Sequence, residues 1–492
     1  MKSFFALFLV LVLVIGLVAC DVKKPDTTDP TTGNDPTNGP TNPTVNEKPF
    51  KGKTLQLYGY GNPDSYSAYG DEEGAMTGVG NYLWMERAAI LEWAAANEVT
   101  IEFKGSYNDN ILLAAMNSGS KPDMFSASNK FPINANIGLT AKLTDEEYNE
   151  LAKHMDTTKW LDTMKYNGKV SGVLLPWTGF FSVHVNIDLC ERYGIKSPVD
   201  YFKEGNWNWD AMKTFFDQVT KDVDGDGTFD SIAARGDFML QGLVPMYTAS
   251  QKENGLLTDE IFDKSWAYDY AEFRYNYQYQ KGCVVKGAQS ATVMAGNPLV
   301  ACQLTSAGLY NPLSVFSVLS NGDRTVAVPI PEYTGKDAFK VTKPTQSAMY
   351  MAASCDEREA VISLMCYLLE CGDKYISQMS HGALTSKYEG MKGTTDISKK
   401  WMDQFAKGLA EREETLKTYE HFDKDLLKKI RDYVNDPATI WDCPAASTTW
   451  TGVKDFYRVC DYSQPPATAL SAGREAFKTA IATYNDLYVH VD

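Results

Sequence analysis

From Thr54 onward the chain alternates short β-patterned runs with longer helical ones, and that alternation leaves few folds open. "KTLQLYGYG" is a strand ending in glycines, Tyr82 to Asn97 has helical apolar spacing, and "VTIEF" at 99–103 is a strand again. "SYNDNILLAAMNSGSKPDMFSAS" then offers a helix start at Asn108 to Asn110, a helix to about Asn117 and a buried strand around Met124. Strand, helix and strand in this order predict a parallel sheet covered by helices, an α/β fold. At 492 residues the chain is too long for one ordinary core, so two or more lobes are expected.

In the middle, Asn167-Gly168 suits a type I′ hairpin turn, and Val170 to Leu175 reads as a core strand. That strand stops at Pro176 and is followed by a large indole, Trp177. "FFSVHVNIDLCERYGI" reads as a second strand running into a helix, and "VAVPIPEYTGKDAF" as an extended crossing segment. "DEREAVISLMCYLLECG" is an amphipathic helix expected to end at Gly372. Residues 411–435 place Leu416, Tyr419, Leu426, Ile430 and Tyr433 on one helical face, so the C-terminal region is helix-rich.

The chain opens on Met1-Lys2-Ser3 and an uninterrupted apolar run from Phe4 to Val18, too short to span a bilayer comfortably, so residues 1–19 read as a signal peptide. "LVAC" resembles the bacterial lipobox, which makes Cys20 the lipid-modified first residue of the mature protein. Residues 20–50 are rich in Thr, Pro, Asp, Asn and Gly and cannot bury enough apolar surface to fold, so they form a disordered tether. Such a coil spans on the order of 30 Å. A net charge of −16 repels a phosphate backbone and argues against nucleic acid as a partner. Membrane attachment rests on the lipid alone. Beyond Cys20 the cysteines show no C-x-x-C and no dense framework, so mostly buried free thiols are expected, with room for one or two bridges.

The blocks "GSKPDMFSASNKFPINANIGLTAKLTD", "KYNGKVSGVLLPWTGFFSVHVNIDLCERYGI", "NWNWDAMKTFFDQVTKDVDGDGTFD", "MAGNPLVACQLTSAGLYN" and "VAVPIPEYTGK…SAMYMAASCDEREAVISLMCYLL" occur in this order. Together they resemble the extracellular solute-binding proteins of family 1, the maltose-binding-protein-like carbohydrate-binding components of ABC importers. The resemblance covers roughly residues 50–390. It implies a two-lobe periplasmic-binding-protein-like fold of type II, with a ligand cleft between the lobes. On that basis residues 51–165 and 336–390 are assigned to the first lobe, and 166–335 and 391–492, with the C-terminal helices, to the second. The resemblance further implies a carbohydrate ligand, an ABC permease as partner, an extracytoplasmic location and no required cofactor. A monomer is expected.

In open α/β sheets ligands sit beyond the carboxyl ends of strands. That rule selects Tyr60 after the first strand, Ser128 and Asn129 after "PDMFSA", Trp177 after "VSGVLL", and Tyr310 in "SAGLYN". In the family, positions matching Ser128/Asn129 and Tyr310 lie along the cleft, and C-terminal tryptophans also reach it, which adds Trp441 and Trp450. Sugars present hydroxyls at their edges and C–H patches on their faces, so aromatic platforms suit them, although Tyr and Trp also fill cores. Trp84 fits the buried stripe of its helix, Trp209 reads as packing at a helix start, and Asn62 and Asp64 read as loop caps.

"DVDGDGTFD" places Asp222, Asp224, Asp226, the Thr228 carbonyl and Asp230 at positions 1, 3, 5, 7 and 9 of an EF-hand-like loop, with Gly227 at 6. Position 12 is Ala233, so the bidentate glutamate is missing. A structural calcium site and a solvated Asp/Gly turn both fit. No G-x-S-x-G, H-E-x-x-H, P-loop or dinucleotide fingerprint is present, so the expectation is a binder and not an enzyme. A secreted carbohydrate-active enzyme with paired carboxylates, and a receptor for a non-sugar solute, remain the alternatives.

Overall fold

The computed structural model describes residues 48–60, 80–105, 107–128, 131, 133–155, 157–175, 179–235, 243–245, 256–285, 300–308, 315–319, 321–342, 347–378, 423–441 and 463–486. Cys20, the signal peptide and all of the tether up to residue 47 lie outside them.

The predicted β-α-β alternation is realised in β1 (Thr54–Tyr58), α1 (Gly80–Asn97), β2 (Thr100–Phe103), α2 (Asp109–Asn117) and β3 (Met124–Ser128). Asn108 caps α2, its side chain accepting from the backbone N–H groups of Asn110 and Ile111. β1 runs parallel to both β2 and β3, as short crossovers through covering helices require. Then come α3 (Ile133–Asn136), α4 (Asp145–Ala152) and α5 (Lys159–Asp162). A capping box between Thr144 and Glu147 starts α4.

β4 (Lys165–Tyr166) and β5 (Lys169–Val170) form the expected hairpin, with positive φ at both Asn167 (49°) and Gly168 (72°). Val170 to Leu175 is buried throughout, but it is not one strand. β5 belongs to the hairpin and β6 (Val173–Leu174) joins the first sheet, with Ser171-Gly172 between them. A Cβ on Gly172 would come within 2.7 Å of the Tyr350 ring, so only glycine lets the chain pass there.

β7 (Gly179–Asn186) leads into α6 (Ile187–Tyr193), followed by α7 (Pro198–Glu204) and α8 (Trp209–Val219), as strand-then-helix reading predicted. β8 (Ile232–Arg235) is followed by α9 (Ser265–Phe273), which continues as a π-helical turn over Arg274–Gln280. β9 (Val284–Val285), β10 (Val300–Gly308), β11 (Phe316–Val318) and β12 (Arg324–Pro329) complete the second sheet, and β13 (Lys340–Thr342) follows. Last come β14 (Ser347–Met351), α10 (Arg358–Gln378), α11 (Lys424–Asn435), β15 (Thr439–Trp441) and α12 (Pro466–Asp486).

Two main sheets result. The first has the order β2-β1-β3-β14-β6, the second β11-β12-β7-β10-β8-β9. The lobe boundary expected at 165/166 therefore falls too early, because β6 hydrogen-bonds to β14 of the first sheet and the chain leaves that sheet only after Leu175. The return crossing runs from Pro329 to Ser347 and includes β13, as the extended pattern of "VAVPIPEYTGKDAF" suggested. α1, α4 and α10 pack over the first sheet, and α6, α7, α8 and α11 against the second.

α10 does not stop at Gly372 but continues to Gln378. Glycine costs a helix interior only about 1 kcal/mol, and no proline follows to enforce an end. On α11, Leu426, Leu427, Ile430 and Val434 are buried, whereas Leu416 and Tyr419 lie outside the described residues. Trp209 is core, 2% exposed, as its place at a helix start implied. Cys190, Cys283, Cys302, Cys355 and Cys366 are buried free thiols. Burial pushes Cys190, Cys355 and Cys366 each up to about 12, which makes them poor nucleophiles. Among the described residues no helix is long and apolar enough to cross a membrane.

Candidate functional site

Strand register fixes where the two sheets end. In the first, Ser128 at the carboxyl end of β3 stands opposite Ser347, and the adjacent Ala348 stands opposite Leu174 of β6. In the second, Gly308 at the carboxyl end of β10 pairs with Gly179, the first residue of β7, and Pro329 at the end of β12 pairs with Ser182. The chain therefore leaves the first sheet beside Ser128 and enters the second beside Gly308. Leu175 and Gly179 are four peptide steps apart, and a fully extended chain covers no more than about 14 Å in that distance. Carboxyl ends of strands from both sheets thus border one gap, the position where open α/β sheets hold ligands.

Several predicted residues adjoin these strand ends in the chain. Asn129 immediately follows β3, Trp177 is the middle residue of the link from Leu175 to Gly179, and Tyr310 follows β10 by two positions. Asn129, Trp177, Tyr310 and Trp450 themselves lie outside the described residues, as do Asn62 and Asp64, and of Ser128 only the strand position is described. The backbone of Trp84 is in α1.

Two other candidates are placed differently from expectation. Tyr60 is 0% exposed and packs beside Phe103, with ring centroids 6.3 Å apart. Gly59 has φ +85°, and a Cβ there would lie 2.1 Å from the Ser126 carbonyl oxygen. The chain thus turns tightly against β3 and drops Tyr60 into the interior of the first lobe, where it offers no face to a sugar. Trp441 is 8% exposed on β15, and its indole N–H donates to the Val434 carbonyl at 2.9 Å. It packs the small β13–β15 sheet instead of standing as an open platform. Position after a strand predicts where the chain is, not which way the side chain turns.

The return crossing is tied down by contacts that the sequence did not announce. The Trp207 indole donates to the Pro329 carbonyl at 2.8 Å, while Glu332 N–H donates to Trp207 O at 3.1 Å and Trp209 N–H to Glu332 O at 3.0 Å. Lys159 of α5, a first-lobe element beside β6, donates to the carbonyls of Asp436 and, at 2.6 Å, Thr439. Its acceptors lie in the turn after α11 and at the first residue of β15, and α11 packs on β12 of the second sheet. Burial lowers the Lys159 pKa from the ordinary lysine value. A lone lysine in "DTTKWLD" carries no pattern that marks it as a clamp.

The acidic loop is partly assembled. Carboxylate oxygens of Asp222, Asp224 and Asp226 lie within 4.8 Å of one another, and all three residues are exposed. Asp222 accepts from the N–H groups of Gly225 (2.7 Å) and Gly227 (2.8 Å), Asp224 from Asp226 (3.2 Å) and Asp226 from Thr228 (2.7 Å). Asp230 accepts from Val223 N–H at 2.6 Å and is not part of the cluster, and Ala233 is buried on β8. The donor set is all oxygen, which suits a hard cation.

This arrangement of two sheets joined by crossings is shared with solved structures of solute-binding proteins. An extracellular solute-binding protein from Staphylococcus aureus, solved in complex with maltose, matches with a TM-score of 0.53 and 12% identity, over 88% of this chain and 99% of its own. An ABC substrate-binding protein from Listeria monocytogenes, solved with cycloalternan, matches with 0.51 and 13% over 87% and 99%. A maltose/maltodextrin-binding domain from Bdellovibrio bacteriovorus, bound to maltotriose, matches with 0.51 and 13% over 87% and 100%. No family model and no curated protein matches the sequence.

Proposed function

We propose that the protein is a lipid-anchored, extracytoplasmic solute-binding protein that captures a carbohydrate, in particular an oligosaccharide, and delivers it to the permease of an ABC importer. The observation that carries this reading is that the strand ends at Ser128 and Leu174 in the first sheet and at Gly179 and Gly308 in the second are joined by a short stretch of chain, in a fold whose solved neighbours hold maltose, cycloalternan and maltotriose. Asn129, Trp177, Tyr310 and Trp450 are the residues proposed to line it. Capture without chemistry fits a site closed by relative motion of two lobes, with contacts to ligand made on both sides. Cys20 supplies the anchor through a lipid, and the protein acts as a monomer. The decisive experiment is a thermal-shift screen of the mature protein against a glycan panel, with analysis of the sugars afterwards. An oligosaccharide should raise Tm and be recovered intact, with Trp177→Ala and Tyr310→Ala each weakening binding. Shorter sugars in the mixture would mean an enzyme, and stabilisation by non-sugars alone would mean a different solute.

The acidic loop is proposed as a structural calcium site, with Asp222, Asp224 and Asp226 as carboxylate ligands and the Thr228 carbonyl beside them, while Asp230, turned to Val223 N–H, would have to swing in to join. The close approach of three exposed carboxylates supports it. Calcium should raise Tm in the native chain and not in Asp224→Asn.

A further inference from the structure

A groove away from the strand ends lies on the outer helical face of the first lobe, a trough of about 640 Å³. Its floor is one face of α10, where Glu359, Ile362, Ser363, Cys366, Tyr367 and Glu370 recur at helical three- and four-residue steps. The eleven residue steps from Glu359 to Glu370, at 1.5 Å each, make that floor about 16 Å long. Trp93 of α1 walls one side and α4 with His154 the other. Trp93, Ile362 and Cys366 are 3%, 7% and 7% exposed, so the bottom is apolar and firmly packed. The Trp93 indole N–H is occupied by Ser363 Oγ at 3.2 Å.

Around this floor stand five glutamates: 146, 147, 150, 359 and 370. Arg358 holds Glu147 with two N–H groups, at 2.8 and 2.5 Å, Lys153 holds Glu150 at 2.6 Å, and His154 meets Glu370 at 2.7 Å. Among the described residues, no cation pairs with Glu146 or Glu359. Both lie in first helical turns, of α4 and α10, and the Arg358–Glu147 pair fastens those turns together. The unneutralised charge is therefore at one end of the trough, with the apolar floor leading away from it. An inorganic cation would use the carboxylates but not the floor, and a neutral ligand the floor but not the unneutralised charge.

We propose that this trough binds an organic cation, with an ammonium or guanidinium head at Glu146 and Glu359 and an apolar body along Ile362 and Cys366 toward Tyr367. Charge-assisted contacts orient the head, and burial of the body against the floor supplies the remainder. The site is separate from the strand-end gap, so the two can be tested apart.

The test is isothermal titration of the full mature chain with 2-phenylethylamine and with its neutral counterpart 2-phenylethanol, at low salt. The amine should bind about tenfold more tightly or better, a difference that 0.5 M salt reduces by screening. In the double variant Glu146→Gln/Glu359→Gln, the preference should fall below about threefold while Tm and glycan binding stay unchanged, because both carboxylates are exposed and unpaired. Ile362→Asn should weaken the amine and the alcohol alike. Equal binding of amine and alcohol, no binding of either at millimolar concentration, or an undiminished preference in the double variant would overturn the proposal.

Discussion

The first sheet carries a stack of rings across its strands, and the second a buried polar cluster at one corner. In the first, three rings stack through the lobe: Tyr107 on Phe125 at 5.1 Å and 12°, and Phe125 on Tyr350 at 4.9 Å and 16°. Phe125 and Tyr350 are cross-strand partners on β3 and β14, so sheet register itself produces the stack. In the second sheet, β7 lies between antiparallel β12 and β10, and a polar cluster ties the corner where β7 passes into α6. There buried Asn186 caps α6 by accepting from Leu189 N–H and donates to Asp323 Oδ2, both at 2.9 Å. Arg324 reaches Asp188 at 2.5 Å and also Glu191. The second lobe also packs rings, Phe273 on Tyr277 at 4.9 Å and 23°, so what sets it apart is the buried polar cluster at this corner, and loss of a stacked ring and loss of a directed bond should have different consequences.

The largest effect is expected from Tyr350→Ala. It removes a 1% exposed ring from the stack and from the wall facing Gly172, and should cost about 3–5 kcal/mol in urea unfolding. A loss under about 1 kcal/mol would mean that the stack is incidental. Asn186→Ala should cost about 2 kcal/mol, since it deletes a helix cap and leaves buried Asp323 short of a donor. Hydrogen exchange should localise that damage to β7, α6 and β12 and leave β1–β3 protected. Lys159→Met tests the tie between the lobes. Unfolding should cost about 1.5 kcal/mol, and small-angle scattering should detect a change in the lobe opening.

The smallest effect concerns pH. Asp123 is 4% exposed, accepts from Gln56 N–H at 2.8 Å, and burial raises its pKa above the usual carboxylate value. A carboxyl that holds its proton more tightly when folded favours the folded state at low pH. That contribution is complete below the unfolded pKa and is lost as pH rises through the raised folded one. Asp123→Asn keeps the acceptor oxygen and removes the ionisation, so it should flatten the stability profile just above pH 4. An unchanged profile would exclude Asp123 as the source.

Much of the first lobe was legible because its cues are local. Asn108 as a cap and Asn167-Gly168 as a turn each act within a few residues of themselves. The Val170–Leu175 run was legible as buried but not as two strands, because the break at Gly172 is imposed by the Tyr350 ring, 178 positions away in the chain. Gly372 looked like a stop because glycine often is one, yet α10 continues through it.

Sequence alone determined the β-α-β order and the strand ends beside which Asn129, Trp177 and Tyr310 fall in the chain, since these depend on periodicity and chain position. Only the tertiary structure decided that Tyr60 and Trp441 are buried, that β6 belongs to the first sheet, that Lys159 clamps the turn after α11, and that Glu146 and Glu359 share one end of an apolar trough. Each depends on which distant segment comes to lie alongside, and side-chain direction and charge pairing are settled by that neighbour, not by the residue's own surroundings in the chain.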